Sequence, residues 1–273
     1  MIYVGTAGFK YPDWKGTFYP PTTKDADMLT YYTGHFPVVE LDFTYYRMPN
    51  VRTLAGLEQK TPDGFRFCVK ANRAMTHDCP PGPELQGVFR EFASALEPLL
   101  DSGKLACVLA QFPWSFRPSD ANLAYVLSWP ERLEGIQLVV EYRNATWLTR
   151  STFAALQEAG LAYCCVDEPR LRGLVPPLAV ATADLAYVRY HGRNAAKWWK
   201  HETVSERYDY LYTPEELAEW IPRIQKLDEE ASDTYILFNN CHVGHAATNA
   251  LMLVSMLKEG GFQVAAARGG AGE

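Results

Sequence analysis

Eight short β-rich segments, each followed by a helix or by enough chain to form one, leave few architectures open. They are IYVGTAG from Ile2, VVELDF from Val38, RFCVKA from Arg66, LACVLAQF from Leu105, LVVEYR from Leu138, AYCCVD from Ala162, LAYVRYHG from Leu185 and TYILFNN from Thr234. Nearly continuous apolar runs of this length suit strands buried on both faces, as in a parallel sheet covered by helices. The intervening segments carry helical period and caps. Leu85, Val88, Phe89, Phe92, Leu96 and Leu99 line one face of a segment ending at Leu100; Phe153 to Ala159 is stopped by Gly160; and Thr213-Pro214-Glu215-Glu216 reads as N-cap, N1 proline and capping-box glutamate.

Eight such units predict an α/β fold, a single (β/α)8 TIM-like barrel over residues 1–264 with a flexible Gly-rich tail at 265–273. An open doubly wound sheet is the alternative. It draws support from the short Ala162–Leu185 unit, where Pro169, Pro176 and Pro177 leave room for only a small or degenerate helix, but no GxGxxG follows the first strand. The longest unit, Leu185 to Thr234, predicts a long loop insertion after strand seven, on the face where barrels keep their chemistry.

With 48% hydrophobic and 21% charged residues the chain can bury a large core, and its net charge of -6 argues against indiscriminate binding to nucleic acid or anionic membrane. No apolar run approaches bilayer length, and a strand-like segment begins at Ile2, so a cytoplasmic protein without membrane contact is expected. Six scattered cysteines without paired CxxC spacing predict reduced, buried thiols, with neither disulfide nor structural zinc.

Nearly every strand turns polar at its C-terminal end. Glu40 and Asp42 close strand two, Lys70 strand three, Gln111 strand four, Glu141 and Arg143 strand five, Asp167 strand six, Arg189 and His191 strand seven, and Asn239 and Asn240 strand eight. Glu40/Asp42, Glu141/Arg143 and Arg189/His191 are each spaced by two, so each pair shares a face, which in a barrel can be the interior mouth. A self-satisfied ring, Glu40 with Lys70 and Arg143 with Asp167, is the structural alternative. Desolvation at several kcal/mol per ion favours a site for the set as a whole.

The chain resembles the DUF72, or YecE-like, family of barrel proteins along almost its whole length. The likeness runs through GTAGFKYPDWKGTFYP at Gly5–Pro20, VELDFTYYRMP at Val39–Pro49, FCVKANRAMTH at Phe67–His77, QFPWSF at Gln111–Phe116, VEYRNATW at Val140–Trp147, VRYHG at Val188–Gly192 and FNNCHVGHAATNA at Phe238–Ala250. Ala7 and Phe9 stand where the family pattern has Ser and Trp, and Asp42 where it has Asn. The resemblance implies a TIM-like barrel and no particular reaction.

Lys70, Arg143, Arg189 and His191 could together hold a phosphate or carboxylate. Gly244 either frees backbone N–H groups at a helix start for an anion or merely permits a tight loop. Glu40 and Glu141, nearly across the barrel, could act as acid and base on opposite sides of a substrate, as in glycoside hydrolysis. Trp198, Trp199, Tyr208, Tyr210 and Tyr212 offer aromatic platforms or loop packing, and Trp14, Phe18 and Tyr19 present the same choice. Two weak metal signals, Cys241/His242/His245 and Glu141/Asp167/His191, are opposed by the interleaved cations. A Schiff-base Lys70 is possible, although Glu40 nearby should keep it charged.

The reading that follows is an enzyme, a hydrolase or lyase without cofactor or metal, acting by acid-base chemistry on a polar, anionic small molecule such as a sugar or nucleotide derivative. Glu40, Lys70, Glu141 and His191 are its catalytic candidates. Asp42, Gln111, Arg143, Asp167, Arg189, Asn239, Asn240, Trp198 and Trp199 are its binding candidates. The alternative is a noncatalytic module that docks nucleic acid or a protein through Arg193, Lys197, Trp198, Trp199 and Lys200.

Overall fold

Strands β1 (Ile2–Ala7), β2 (Val38–Leu41), β3 (Arg66–Lys70), β4 (Leu105–Gln111), β5 (Leu138–Glu141), β6 (Ala162–Asp167), β7 (Leu185–Tyr190) and β8 (Asp233–Phe238) close into one barrel in chain order. Each is parallel to the next, and β8 pairs with β1 from Ile2↔Thr234 to Thr6↔Phe238. This is a computed structural model, and it describes residues 1–79 and 82–268. The fold is the (β/α)8 barrel that the eight units predict.

The strands' two-residue period sorts the chain into two apolar layers. Val38, Cys68, Cys107, Leu109, Val139, Cys164, Val166, Tyr187 and Leu237 fill the barrel interior. Their neighbours Val39, Phe67, Val69, Val108, Val140, Cys165, Val188 and Ile236 face the surrounding helices. Continuing the inward parity toward the C-terminal ends carries Glu40, Lys70, Gln111, Glu141 and Arg189 into the mouth.

The helix Pro83–Asp101 buries Phe89, Phe92, Leu96 and Leu99. The helix Arg150–Glu158 starts earlier than the apolar pattern suggests, because the Thr149 side chain caps it by accepting from the Thr152 N–H. Thr213 and Glu216 form the expected capping box ahead of Pro214–Ala218. Among the described residues no helix lies between β6 and β7, where the three prolines fall. After β7 the chain turns at Gly192 (φ +85°), where a Cβ would sit 2.8 Å from Cβ of Tyr210. The insertion then carries the short helices Val204–Arg207 and Pro214–Ala218 before the longer Ile221–Glu230.

Helix His245–Glu259 closes the ring, and Ala265 donates its N–H to Ile2 O at 2.8 Å, so the tail expected to fray from 265 is tied down at its first residue. Residues 269–273 of that tail lie outside the described residues. Among the described residues no helix is long and apolar enough to cross a membrane.

Candidate active site

Arg189 organises the barrel mouth. Its Nη2 donates to Glu40 Oε1 at 2.6 Å and its Nη1 to Glu141 Oε2 at 2.7 Å, so one guanidinium from β7 joins carboxylates from β2 and β5. Glu40 also accepts from the Tyr187 hydroxyl at 2.8 Å. Glu141 Oε1 meets His191 Nε2 at 3.1 Å and pairs with Arg143 Nε. Arg143 Nη1 continues to Glu168 Oε2 at 3.3 Å, and Glu168 Oε1 accepts the Val175 N–H at 2.8 Å. All of these side chains are almost fully buried, and the desolvation of each carboxylate is offset by at least one arginine together with a further hydrogen bond.

The protonation states follow from that arrangement. Burial opposes ionisation of Glu141, but Arg143, Arg189 and His191 outweigh it and hold the carboxyl well below its usual range. Burial, then Arg143, pushes His191 down to about 3, leaving a neutral ring. With Asn239 Nδ2 at 3.0 Å donating to Nδ1, the proton sits on Nε2 and is donated to Glu141. Burial raises Glu168 to about 7 against the opposing pull of Arg143.

Above this network lies a cleft of two lobes that share Tyr46, Lys70 and Tyr208. The first, about 230 Å³, is lined by Lys70, His77, Arg143 and Arg207, with Tyr45, Trp114, Trp198 and Trp199 as its aromatic walls. No carboxylate lines it among the described residues. The Arg143 and Arg207 guanidinium carbons lie 5.9 and 5.4 Å from the Trp198 ring centre. The second lobe, about 370 Å³, is lined by Tyr11, Asp13, Asp42, Arg189, Asn239 and Cys241 among others. Asp42 accepts from the Tyr11 hydroxyl at 3.3 Å.

Lys70 stands between the lobes. Its Nζ has no hydrogen bond or ion pair among the described residues and lies 4.5 Å from the Tyr45 ring centre. Burial, then Arg189, lowers it to about 8. Glu40 makes no direct pair with Lys70, being committed to Arg189 and Tyr187, but its charge still favours the ammonium against burial and Arg189.

Of the thirteen residues singled out from the sequence, Lys70, Gln111, Arg143, Trp198 and Trp199 line the first lobe and Asp42, Arg189 and Asn239 the second, with Lys70 in both. Glu40, Glu141 and His191 lie beneath them, each with no exposed surface. Glu40 and Glu141 do not flank a substrate space, since Arg189 fills the gap between them. Gln111 turns its amide back to donate to Phe112 O at 2.8 Å.

Asp167 and Asn240 do not belong to the mouth. Asp167 pairs in register with the outward-facing Tyr190 and accepts from Arg193 Nε and Nη2 (both 2.8 Å), the Tyr212 hydroxyl (2.8 Å) and Trp220 Nε1 (2.7 Å). It therefore ties the loop after β7 to the barrel wall. Asn240 donates to Tyr210 O at 2.8 Å and to Asn249 Oδ1 at 2.9 Å beneath the helix His245–Glu259. The pairings Glu40–Lys70 and Arg143–Asp167 are absent, replaced by Glu40–Arg189 and Arg143–Glu141.

Tyr212, Trp14 and Tyr19 are core residues, while Tyr208 lines both lobes. Cys241 donates its thiol to Ala7 O at 3.0 Å, whereas His242 and His245 both face Asp209, so these three do not converge. Among the described residues no group of three or more His, Cys, Asp or Glu is placed to hold a metal, and all six cysteines are free thiols. Gly244 adopts φ +85° with Thr17 against it, a tight-loop glycine. The docking loop is largely self-neutralised: Arg193 pairs with Asp167 and Glu219, and Lys197 with Glu206 at 2.8 Å.

Residues not anticipated are Glu168, His77, Trp114, Arg207 and the pair Tyr45 and Tyr46. Glu168 was hidden by a one-residue parity choice at the end of β6; the others sit in the segments that follow strands, on short helices of four or five residues or, for Trp114, on a turn, too short for any periodicity to report.

The family described as "Protein of unknown function DUF72" matches residues 3–270. The UPF0759 protein YunF of Bacillus subtilis (strain 168) is 34% identical over 270 residues, 94% of this chain and 95% of its own length. The UPF0759 protein YecE of Escherichia coli (strain K12) is 26% identical over 120 residues, 44% of this chain and 40% of its own. The crystal structure of a DUF72 family protein from Thermotoga maritima MSB8 superposes with a TM-score of 0.87 at 40% identity, covering 94% of this chain and 99% of that one. One from Enterococcus faecalis V583 gives 0.85 at 27%, covering 94% and 96%. With the family model matching nearly the whole chain and a relative 34% identical over 94% of it, the chain belongs to the DUF72 (UPF0759) family.

Proposed function

We propose that this protein is an enzyme, a lyase or hydrolase, that performs acid-base chemistry on a small anionic molecule held at the C-terminal mouth of the barrel. The observation that carries this reading is the asymmetry of the cleft. One lobe presents Lys70, Arg143, Arg207 and His77 without a carboxylate, and the other presents Asp13 and Asp42, with Lys70 between them. An anionic group fits the first lobe by charge, and its aromatic walls suit a ring or sugar face. Lys70, unpaired and poised at about 8, is the group best suited to take or give a proton. Glu40, Glu141, Arg189 and His191 then serve as positioning residues, Glu141 holding Arg143 while Glu40 and Arg189 occupy one another and leave Lys70 free.

The first-lobe volume of about 230 Å³ matches a small molecule and not a polymer segment. The alternative of docking through the loop after β7 has less support, since Arg193 and Lys197 are engaged internally. The test is a metabolite-binding screen by mass spectrometry on the intact protein and on Arg143→Gln, with inorganic phosphate and sugar phosphates added in parallel melts. Anionic molecules retained by the first and lost from the second support the reading. Retention of neutral molecules only, or equal retention by both proteins, overturns it.

A further inference from the structure

Three cations reach the inner ring of strand ends, and two are spoken for. Arg189 bridges Glu40 and Glu141, and Arg143 lies between Glu141 and Glu168. Lys70 has no such partner among the described residues, is half-buried, and opens onto both lobes. Burial beside other cations lowers the proton affinity of Lys70 and so enlarges the neutral fraction of an amine that stands unpaired and open to both lobes, and the neutral amine is a nucleophile.

We infer that Lys70 forms an imine with the carbonyl carbon of a small aldehyde or ketone that carries a phosphate or carboxylate, the anionic group lying in the lobe of Arg143 and Arg207. This rests on the reading of the cleft as a small-anion site and adds the substrate class. The neutral Nζ donates its lone pair to the carbonyl carbon, the C–N bond forms, and the carbonyl π pair moves to oxygen, which takes a proton from solvent in the open cleft. Nitrogen then loses a proton, the hydroxyl departs as water after protonation, and a protonated imine remains. The sum is one carbonyl, one amine and one proton giving one iminium and one water, with no change of oxidation state. Such an adduct withdraws electrons from the adjacent carbon, which suits a lyase.

Pyridoxal 5′-phosphate is a direct probe, since it joins an aldehyde, an aromatic ring and a phosphate. The full-length protein is incubated with it, reduced with borohydride and mapped by peptide mass, with pyruvate and cyanoborohydride as a second, smaller probe. Lys70 is expected to carry the label ahead of every exposed lysine, inorganic phosphate to protect it, and labelling to rise as pH passes through about 8. Pyridoxal, which lacks the phosphate, is expected to react about tenfold more slowly, a factor that corresponds to about 1.4 kcal/mol of binding, and Arg143→Gln to remove most of that difference. Lys70→Arg, checked by its melt, controls for the site. Label from either probe concentrated on Lys70 supports the imine. Label confined to surface lysines with both probes overturns it. If phosphate still stabilises the protein in that case, the small-anion reading stands without the imine; if phosphate and sugar phosphates also fail to bind, both fall.

Discussion

Arg189 Nη1 lies 2.7 Å from Glu141 Oε2, both groups without meaningful exposure, so the cation at the end of β7 meets its counter-charge inside the protein. A second nitrogen of the same fork reaches Glu40, and lysine cannot make both bonds in that geometry. Arg189→Lys is therefore expected to lower stability, and Arg189→Met to cost about 3–5 kcal/mol by leaving buried Glu40 without a cation, while Glu141 keeps Arg143 and His191. Denaturant melts of both variants measure this. A melt unchanged for Arg189→Met would remove Arg189 from its role as a strut.

Asp167 makes the matching case outside the mouth. It accepts four hydrogen bonds from Arg193, Tyr212 and Trp220 and holds the loop that carries Trp198 and Tyr208. Asp167→Ala is expected to destabilise by about 3–5 kcal/mol, and a protease assay should find the first cuts between β7 and the helix Ile221–Glu230. Asn240→Ala, with two bonds, should follow at about 1–3 kcal/mol.

These two residues mark where the sequence stops being readable. Eight apolar runs ending in polar pairs are enough to place Glu40, Glu141, Arg143, Arg189 and His191 at one mouth, because a spacing of two fixes their shared face. AYCCVDEP offers no such pair: both faces of β6 are buried, alternation is lost, and nothing in the run says whether Asp167 or Glu168 turns inward. FNN at the end of β8 poses the same choice, and there Asn239 is the inward residue. Who pairs with whom is equally hidden. That Arg189 takes Glu40, leaving Lys70 free, depends on the barrel interior being narrow enough for β7 to reach β2, which is a tertiary distance and not a pattern.

Lys70 carries a pH signature. Its folded value of about 8 lies below the ordinary 10.5, so between those values the unfolded chain binds more protons and stability rises with pH. Below about 8 the burden on the folded state is fully present. Lys70→Met should therefore stabilise the protein near neutrality by about 1 kcal/mol, less than the raw shift suggests because the ammonium is partly exposed, and the gain should fade toward pH 10.5. Urea melts of both proteins across that range check it; a gain that grows with pH would contradict the assignment.

Glu168 titrates with the opposite sense. Burial raises it to about 7 from an ordinary 4.5, so between those values the folded protein holds the extra proton and stability falls as pH rises. Glu168→Gln should flatten the curve over that window, removing up to about 3 kcal/mol of the wild-type decline at 1.36 kcal/mol per pH unit. Because Arg143 Nη1 then loses a charged partner, the variant should also hold small anions more tightly at pH 7 and above, where the wild-type carboxylate competes for the same guanidinium. Calorimetry with inorganic phosphate on either side of pH 7 reads that second effect.

Trp198 and Trp199, adjacent in sequence, should separate completely by mutation. Trp198 is 1% exposed and lies against the guanidinium groups of Arg143 and Arg207, whereas Trp199 is 51% exposed and meets Trp114 edge-on at 5.9 Å. Removing a buried indole costs transfer free energy and leaves a cavity, so Trp198→Ala is expected to destabilise by about 3–5 kcal/mol and to loosen both arginines. Trp199→Ala should leave the melt within about 0.5 kcal/mol, because an exposed ring at the rim contributes little to folding. Its effect should appear only with a ligand that has a ring to stack, as a loss of about 0.5–1.5 kcal/mol for pyridoxal 5′-phosphate and none for inorganic phosphate. Calorimetry with those two ligands on the Trp199 variant decides between a rim that binds and one that merely covers, and an equal loss for both would show that the ring shapes the anion lobe instead of contacting the ligand's ring.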